Sequence, residues 1–321
     1  MLVRRPNVWD LPSNALTPER DWVDRRSVLR ALGYAGAGLA LPSCLPHAAP
    51  TPAAAVPSTF EWDLPAATPN VSYPLDRPLT DELAAATHNN FYEFTTDKAR
   101  VWELASSLRP KPWTIEVRGD VEKPFDLGLE DVLANFQLEE RTYRFRCVEA
   151  WSMAVPWIGV PLAKFVERCK PLSKAKFIRF VSAGDAAMFP GIASQPWYAW
   201  PYYEGLSVRE ATNELSLLAV GIYGHALPNQ HGAPIRLVVP WKYGYKNIKS
   251  IVRIEFREDP PATFWNDLAN DEYDFYGNVR PDRPHPRWSQ ATEQKIPSGE
   301  RVPTLMYNGY ADLVSSLYPP G

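Results

Sequence analysis

Cys147 is the residue whose type and setting best suit metal chemistry in this chain. Residues 141–146 alternate in polarity up to it, so a strand is expected to end there and leave the sulfur in the following loop. Thiolates bind transition metals, and positive charge from Arg144 and Arg146 is expected to lower the thiol pKa and favour the thiolate. A free cysteine is more often a buried packing residue. The residue on its own therefore leaves a metal ligand and a structural thiol both open.

The other cysteines and the histidines limit the kinds of site that can be considered. The chain has three cysteines, Cys44, Cys147 and Cys169, and their spacing fits no zinc motif. A disulfide between Cys147 and Cys169 is possible in an oxidising compartment. The five histidines show no paired spacing typical of zinc ligands, and no glycine-rich phosphate loop follows a strand. Zinc and dinucleotide sites therefore lack support, whereas the disulfide stays open.

The amino-terminal segment has the layout of an export signal. Arg25 and Arg26 precede an apolar, Gly/Ala-rich stretch at residues 31–42, which is shorter than the ~20 residues of a membrane-spanning helix. A paired arginine before a weakly hydrophobic segment is typical of the twin-arginine pathway, which exports folded proteins. Ala53 to Ala55 offer a small-residue cleavage pattern. We therefore expect residues 1–55 to be a cleaved leader and the mature protein to be periplasmic; the alternative is a disordered leader that happens to contain two arginines.

Local patterns predict more strands than helices in the rest of the chain. Residues 56–87 are rich in Pro, Ala and Thr and are expected to form an extended arm. The predicted strands are residues 113–119, 141–146, 176–181, 215–223, 235–239 and 248–256, and the predicted helices are residues 129–136 and 162–169. No break in composition marks a second domain. We expect an α+β fold, mostly β, with one catalytic domain over residues 56–321.

Composition and charge exclude several classes of protein. The chain is 45% hydrophobic and 12% aromatic, which is enough for a large core and argues against disorder. The formal net charge is −3 and no basic run follows the leader, so nucleic acid is not an expected partner.

Several collinear motifs resemble the sulfite-oxidase superfamily of molybdopterin enzymes. The motifs are residues 89–94 (NNFYEF), 146–152 (RCVEAWS), 155–162 (VPWIGVPL), 232–244 (GAPIRLVVPWKYG) and 285–293 (HPRWSQATE). The resemblance spans residues 88–318, nearly all of the mature chain. It is strongest to periplasmic members that reduce methionine sulfoxide, and it implies a sulfite-oxidase-like fold with one molybdenum–molybdopterin cofactor per chain.

The resemblance also assigns roles to individual residues. It implies that Cys147 is the catalytic centre's protein ligand to molybdenum. The residues it places against the pterin or its terminal phosphate are Asn89, Tyr92, Glu93, Ser182, His231, Arg236, Asn247, Ile248 and Lys249. Ser182 stands where the family has threonine, His231 where it has asparagine, and Asn247 where it has glycine. A histidine can still donate a hydrogen bond, and asparagine tolerates a positive φ that glycine would supply.

The function implied is reduction of free and protein-bound methionine sulfoxide in the periplasm, as envelope protein repair. The chain has no haem or iron–sulfur cysteine set, so the resemblance implies electrons from the quinol pool through a membrane haem subunit. Residues 197–203 are rich in Trp and Tyr and are expected either to line a substrate mouth or to pack around prolines. Two alternatives remain: a sulfite-oxidising relative, and a non-catalytic envelope binding protein in which Cys147 is structural.

Overall fold

Two β-sheets dominate the described part of the chain, residues 63–319 of a computed structural model. The strands are β1 (Thr68–Pro69), β2 (Thr114–Gly119), β3 (Phe125–Gly128), β4 (Glu139–Arg146), β5 (Trp151–Pro161), β6 (Phe177–Ser182), β7 (Tyr203–Ser207), β8 (Leu217–Ile222), β9 (His225–Ala226), β10 (Arg236–Val238), β11 (Ile251–Arg257), β12 (Thr292–Lys295) and β13 (Arg301–Pro303). The helices are α1 (Glu82–Ala86), α2 (Val101–Leu104), α3 (Leu129–Asn135), α4 (Leu162–Cys169), α5 (Pro190–Ser194), α6 (Val208–Ala211), α7 (Phe264–Leu268) and α8 (Ala311–Val314). The predicted leader, its cleavage site and Cys44 lie outside the described residues.

The larger sheet is organised around β5. This strand pairs antiparallel with β4 along its length, with Glu139 opposite Gly159 and Arg146 opposite Ser152. On its other edge β5 pairs first with β12 and then with β8, which carries β9 and β10. Every residue of β5 except Pro161 is buried. Its side chains therefore read as one apolar run without alternation, as expected for a strand covered on both faces.

The smaller sheet has the order β3-β2-β11-β6-β7. β11 is parallel to β2 and antiparallel to β6, and β6 is antiparallel to β7. β6 ends at the buried Ser182, and β11 begins at Ile251, immediately after the loop that holds residues 247–249. Predicted site residues therefore lie at the end of β6 and just before the start of β11 in this sheet. Cys147 lies in the turn between β4 and β5 of the larger sheet.

The predicted α+β class, mostly sheet and in one domain, is confirmed. β2, β4, β6 and α4 lie within two residues of their predicted bounds. The predicted extended arm is only partly correct: residues 63–81 contain no helix and β1 adds a short parallel strand to β4, but Glu82–Ala86 form α1. Among residues 63–319 no helix has the length and apolarity needed to cross a membrane.

Candidate functional site

One cavity of about 490 Å³ collects nearly all of the predicted site residues. Asn89, Tyr92, Glu93, Cys147, His231, Arg236, Asn247, Ile248 and Lys249 line it. Ser182 does not line the cavity but lies directly behind it, where its hydroxyl donates to the Glu93 carboxylate at 3.4 Å. Residues that are up to 160 positions apart in the chain thus meet at one place.

Cys147 occupies the turn between β4 and β5. The Cys147 N–H donates to the Trp151 carbonyl at 2.9 Å, and the Ala150 N–H donates back to the Cys147 carbonyl at 3.1 Å. Ala150 has a φ of 63°, which lets this short connection reverse direction. The sulfur accepts two weak hydrogen bonds at 3.4 Å, from Asn90 Nδ2 and from the Glu149 N–H. The turn therefore presents the sulfur to the cavity, as the strand pattern predicted.

Contrary to the expectation from the sequence, the nearby arginines do not lower the pKa of the Cys147 thiol below its ordinary value. Burial raises the pKa of Cys147 to about 12 and outweighs the attraction of Arg146. The Arg146 guanidinium donates to the side chains of Glu293 and Gln290, and Arg144 forms an ion pair with Asp76 at 2.7 Å. A thiolate in this position must therefore be held by a cation bound in the cavity itself, such as a metal.

The disulfide alternative is wrong. Cys147 and Cys169 are both buried and both unpaired. Cys169 ends α4, where it packs in the hydrophobic core. Cys147 is therefore free to act as a ligand.

Asn89, Tyr92 and Glu93 lie on the segment that follows α1. The Asn89 side chain donates to the carbonyls of Ala85 and Ala86 at 3.3 and 2.7 Å, so it closes the end of that helix. Burial raises the pKa of Glu93, whose carboxylate faces Lys249 and Ser182. These contacts fix the segment that carries Asn90 to the sulfur of Cys147.

Arg236, Lys249 and His231 form a cationic side of the cavity. The Arg236 guanidinium donates to the carbonyls of His231 and Asn247 at 2.8 and 3.2 Å and lies 4.8 Å from the centre of the Trp157 ring. Within residues 63–319 neither Arg236 nor Lys249 has a carboxylate at ion-pair distance; the Lys249 ammonium donates to the Asn90 carbonyl at 2.7 Å. Burial lowers the pKa of Arg236 to about 9 and that of Lys249 below its usual range. Glu93 acts on Lys249 only at longer range, and burial is the one cause of the shift at Arg236. Two buried cations without a direct ion pair indicate a site for an anionic ligand.

His231 and Asn247, where the chain departs from the family, behave differently from each other. Burial lowers the pKa of His231 to about 3, so its ring is neutral and can donate or accept a hydrogen bond in the cavity. Asn247 has a φ of −92°, so the expected explanation by positive φ is wrong. Its side chain instead accepts from the Val239 N–H at 2.6 Å and donates to the Tyr243 carbonyl at 3.2 Å. Asn247 thus braces the loop whose carbonyl holds Arg236.

Gly232 is the position in this loop where glycine is required. Its φ is 97°, and a Cβ there would lie 2.6 Å from the Cβ of Lys249. Both the backbone conformation and the close approach of Lys249 exclude a side chain.

Three residues that line this cavity each carry a buried polar atom without a hydrogen-bond partner among the described residues. These atoms are Nε1 of Trp157, Oδ1 of Asn90 and Nε2 of His88. Buried polar groups are normally satisfied, so these atoms indicate a ligand rich in donors and acceptors. No three His, Cys, Asp or Glu side chains within residues 63–319 converge as a metal site. A metal at Cys147 would therefore need further ligands from a bound group, and the residues fit a phosphate-bearing pterin dithiolene.

Sequence reasoning missed several residues of the cavity. Asn90 and Glu149 stood inside the motifs but were not singled out, although each contacts the cysteine sulfur. The other lining residues that were not predicted include His88, Trp157, Tyr245, Trp265, Tyr273, Arg287 and Trp288. Trp265 lies on the five-residue helix α7 and Tyr273 in the loop after it. No local pattern marks either residue, so only the tertiary fold brings them to the site.

The aromatic series at residues 197–203 divides into two groups. Tyr198 and Tyr202 line the cavity, whereas Trp200 and Tyr203 pack on Phe264, with ring centres 5.2 and 5.9 Å away. Trp197 lies outside the cavity, with 68% of its surface exposed. Tyr198 and Tyr202 also contact Phe264, with ring centres 5.6 and 4.7 Å away. The stretch therefore packs on Phe264 rather than around prolines, and its role as a substrate mouth stays a prediction.

Comparisons with known proteins agree with this site. Residues 103–265 match the family model of the oxidoreductase molybdopterin binding domain. The chain is 46% identical to the protein-methionine-sulfoxide reductase catalytic subunit of Burkholderia mallei, over 96% of this chain and 93% of the relative. It is 45% identical to the subunit of the same name from Pseudomonas syringae pv. tomato, over 99% and 97% of the two chains. It is 46% identical to that of Ralstonia nicotianae, over 96% and 94%.

Proposed function

Because the chain belongs to the family of molybdopterin-dependent protein-methionine-sulfoxide reductase catalytic subunits, we propose that it reduces free and protein-bound methionine sulfoxide in the periplasm, as part of envelope protein repair. Oxidation converts an apolar methionine side chain into a polar one that disturbs cores, so reduction restores packing. The net reaction consumes two electrons and two protons and releases the thioether and water.

Cys147 is proposed as the protein ligand to molybdenum. When bound, the molybdenum–molybdopterin cofactor, one per chain, supplies the oxygen-atom and electron transfer that no side chain provides. Asn90 and the Glu149 N–H hydrogen-bond the sulfur, so they orient it and stabilise its negative charge. The hydrogen bonds of the turn between β4 and β5 fix the position of the sulfur.

The rest of the predicted set is proposed to hold the pterin and its phosphate. Arg236 and Lys249 supply positive charge, and the neutral His231 ring supplies a hydrogen bond. Glu93 and Tyr92 line the cavity wall, with Ser182 behind Glu93. Asn89, Asn247 and Ile248 are proposed to shape the segments on either side of the cofactor.

The observation that carries the proposal is the joint placement of Cys147, Arg236 and Lys249 in one cavity. A thiol with no disulfide partner faces the same space as two cations with no carboxylate at ion-pair distance among the described residues. A metal bound through sulfur and an anionic tail satisfies both requirements at once.

The electron source is proposed to be a membrane haem subunit that oxidises quinol. The relatives are named catalytic subunits, which implies a further subunit, and the three cysteines of this chain make no haem-attachment or iron–sulfur motif. Oxidised envelope proteins would be the second class of partner, as substrates.

Membership of an enzyme family argues against a non-catalytic binding protein. The remaining alternative is sulfite oxidation, and substrate turnover distinguishes it from the proposed activity. The purified protein, loaded with cofactor and given an artificial electron donor, should reduce free methionine sulfoxide and an oxidised protein. The same preparation should not oxidise sulfite with an electron acceptor. Sulfite turnover without sulfoxide turnover would overturn the proposal.

A further inference from the structure

Aromatic side chains form a continuous wall on one side of the cavity. Trp265, on α7, lies edge-on to the ring of Tyr92 at 5.5 Å and packs on Tyr273 at 5.1 Å between ring centres. Tyr198 contacts both Tyr92 and Trp265, at 6.4 and 6.2 Å. All four rings line the cavity. Because they come from separate segments of the chain, the wall is a product of the tertiary fold.

This aromatic wall differs in chemistry from the cationic side. Arg236, Lys249 and His231 provide charge and hydrogen bonds there, whereas the wall offers aromatic faces and edges. Cys147 lines the same cavity as both sides. If the cofactor takes the cationic side and the edge at Tyr92, the rest of the wall remains for the substrate. Sulfur and methyl groups next to aromatic rings are favourable contacts for a methionine side chain.

The wall continues outward to an exposed rim. Trp197 is 68% exposed, and its ring centre lies 6.0 Å from that of Tyr198. Leu268, which is 49% exposed, ends α7 three residues after Trp265. Arg287 lines the cavity, lies 4.9 Å from the Trp288 ring centre and pairs with Glu272 at 2.5 Å. Exposed apolar side chains bordered by polar groups are typical of a surface that binds a partner.

We propose that Trp197 and Leu268 bind the polypeptide that flanks a methionine sulfoxide, while the aromatic wall receives the oxidised side chain itself. This inference rests on the proposed function and names how its protein substrates are recognised. The occupant follows from continuity: Trp197 and Leu268 adjoin Tyr198 and Trp265 of the wall, so a chain whose side chain enters the cavity passes over the rim. Free methionine sulfoxide has no flanking polypeptide to occupy the rim.

Replacement of Trp197 separates the two kinds of substrate. Trp197→Ala should raise KM about tenfold, equivalent to about 1.4 kcal/mol, for a short unstructured peptide with one central methionine sulfoxide. The kcat for that peptide and both constants for free methionine sulfoxide should stay near wild type. Trp197→Phe keeps a ring and should retain most of the peptide affinity. Leu172→Ala is the control. Leu172 is also exposed, at 39%, but it lies before Phe177, where β6 begins, and Ser182 is at the other end of that strand.

Molybdenum content and circular dichroism of each variant establish that cofactor and fold are intact. Unchanged peptide KM in Trp197→Ala, or equal changes for peptide and free methionine sulfoxide, would overturn the inference. That result is distinct from failure of the proposed function, in which the wild type itself reduces neither substrate.

Discussion

At the scale of single residues, Arg236 shows most clearly that the cavity is built for a ligand. Arg236 is 3% exposed, and its guanidinium donates to three backbone carbonyls and lies over the Trp157 ring. Burial of a cation costs free energy that carbonyl contacts offset only in part. A bound phosphate would supply the missing negative charge, which explains why the cation is tolerated here.

Replacement of Arg236 should therefore weaken cofactor binding. Arg236→Ala removes a charge-assisted contact worth about 1.5–3 kcal/mol, so molybdopterin occupancy of the purified protein should fall while the fold persists. Occupancy is measured by release and quantification of the pterin. Arg253→Ala is the control, because Arg253 is 43% exposed and pairs with Glu116 on the surface. Unchanged occupancy together with a large loss of unfolding free energy would show that Arg236 is structural.

The site residues that could be predicted from sequence are those with a distinctive side chain or a place in a recognised motif. Cys147 and Arg236 belong to this class, and both line the cavity. The charge state of the Cys147 thiol could not be predicted from the nearby Arg144 and Arg146. Both arginines form ion pairs with carboxylates that are distant in sequence. Burial, which dominates the pKa of Cys147, is a property of the whole fold.

At the scale of elements, a buried ion network holds the β4–β5 turn in place. Glu293 of β12 accepts from Arg146 at 3.2 Å and from Arg77 of the arm at 3.0 Å. Gln290 accepts from Arg146 and also donates to the Val148 carbonyl at 2.7 Å. The residue after Cys147 is thus tied to the segment before β12. The arm contributes to the site through Arg77 rather than merely covering the surface.

Loss of charge at Glu293 should destabilise this arrangement. Glu293→Gln leaves the fully buried Arg146 without a carboxylate partner, whereas Arg77 keeps Asp76. The unfolding free energy should therefore fall by about 3 kcal/mol. Urea denaturation measures the change. Glu300→Gln is the control, since Glu300 pairs with Lys295 but is 60% exposed, and its loss should cost under about 0.5 kcal/mol. Equal losses in the two variants would show that the network does not stabilise the turn.

Alternation predicted strands that have one face in solvent, although the fully buried β8 and β10 also lie within two residues of their predicted bounds. β2 has a pattern of buried and partly exposed residues that alternation reveals. β5 is buried almost throughout, so it has no alternation and its residues were recognised only through a family motif. The two-residue strands β1 and β9 depend on their partners rather than on their own sequence, and local patterns do not predict them.

At the scale of the whole molecule, a cofactor-binding domain follows a predicted export signal for folded proteins. The domain matches its relatives over nearly its full length, and the cavity is enclosed by segments distant in sequence. A chain that takes up its cofactor before crossing a membrane must cross folded, which is the task of the twin-arginine route. The leader itself, residues 1–55, lies outside the described residues.

Substitution in the leader tests this connection. Arg25→Lys combined with Arg26→Lys keeps the charge but removes the paired arginine, so the protein should accumulate inside the cell. Fractionation and immunoblotting of the periplasm measure the effect. Arg4→Lys with Arg5→Lys, an arginine pair far from the apolar stretch, should leave export unchanged. Normal export of the Arg25/Arg26 variant would remove the twin-arginine assignment.

The most direct test of the central claim compares Cys147→Ser with Cys169→Ser in cofactor-loaded protein. Serine is nearly isosteric, but its hydroxyl is a hard, poorly ionised group that cannot replace a thiolate on the metal. The measurement is methionine sulfoxide turnover together with the electronic spectrum and molybdenum content of each variant. If Cys147 binds molybdenum, Cys147→Ser should lose turnover and change the spectrum, while Cys169→Ser should match the wild type in both. Wild-type turnover and spectrum in Cys147→Ser would contradict the assignment of Cys147 as the molybdenum ligand.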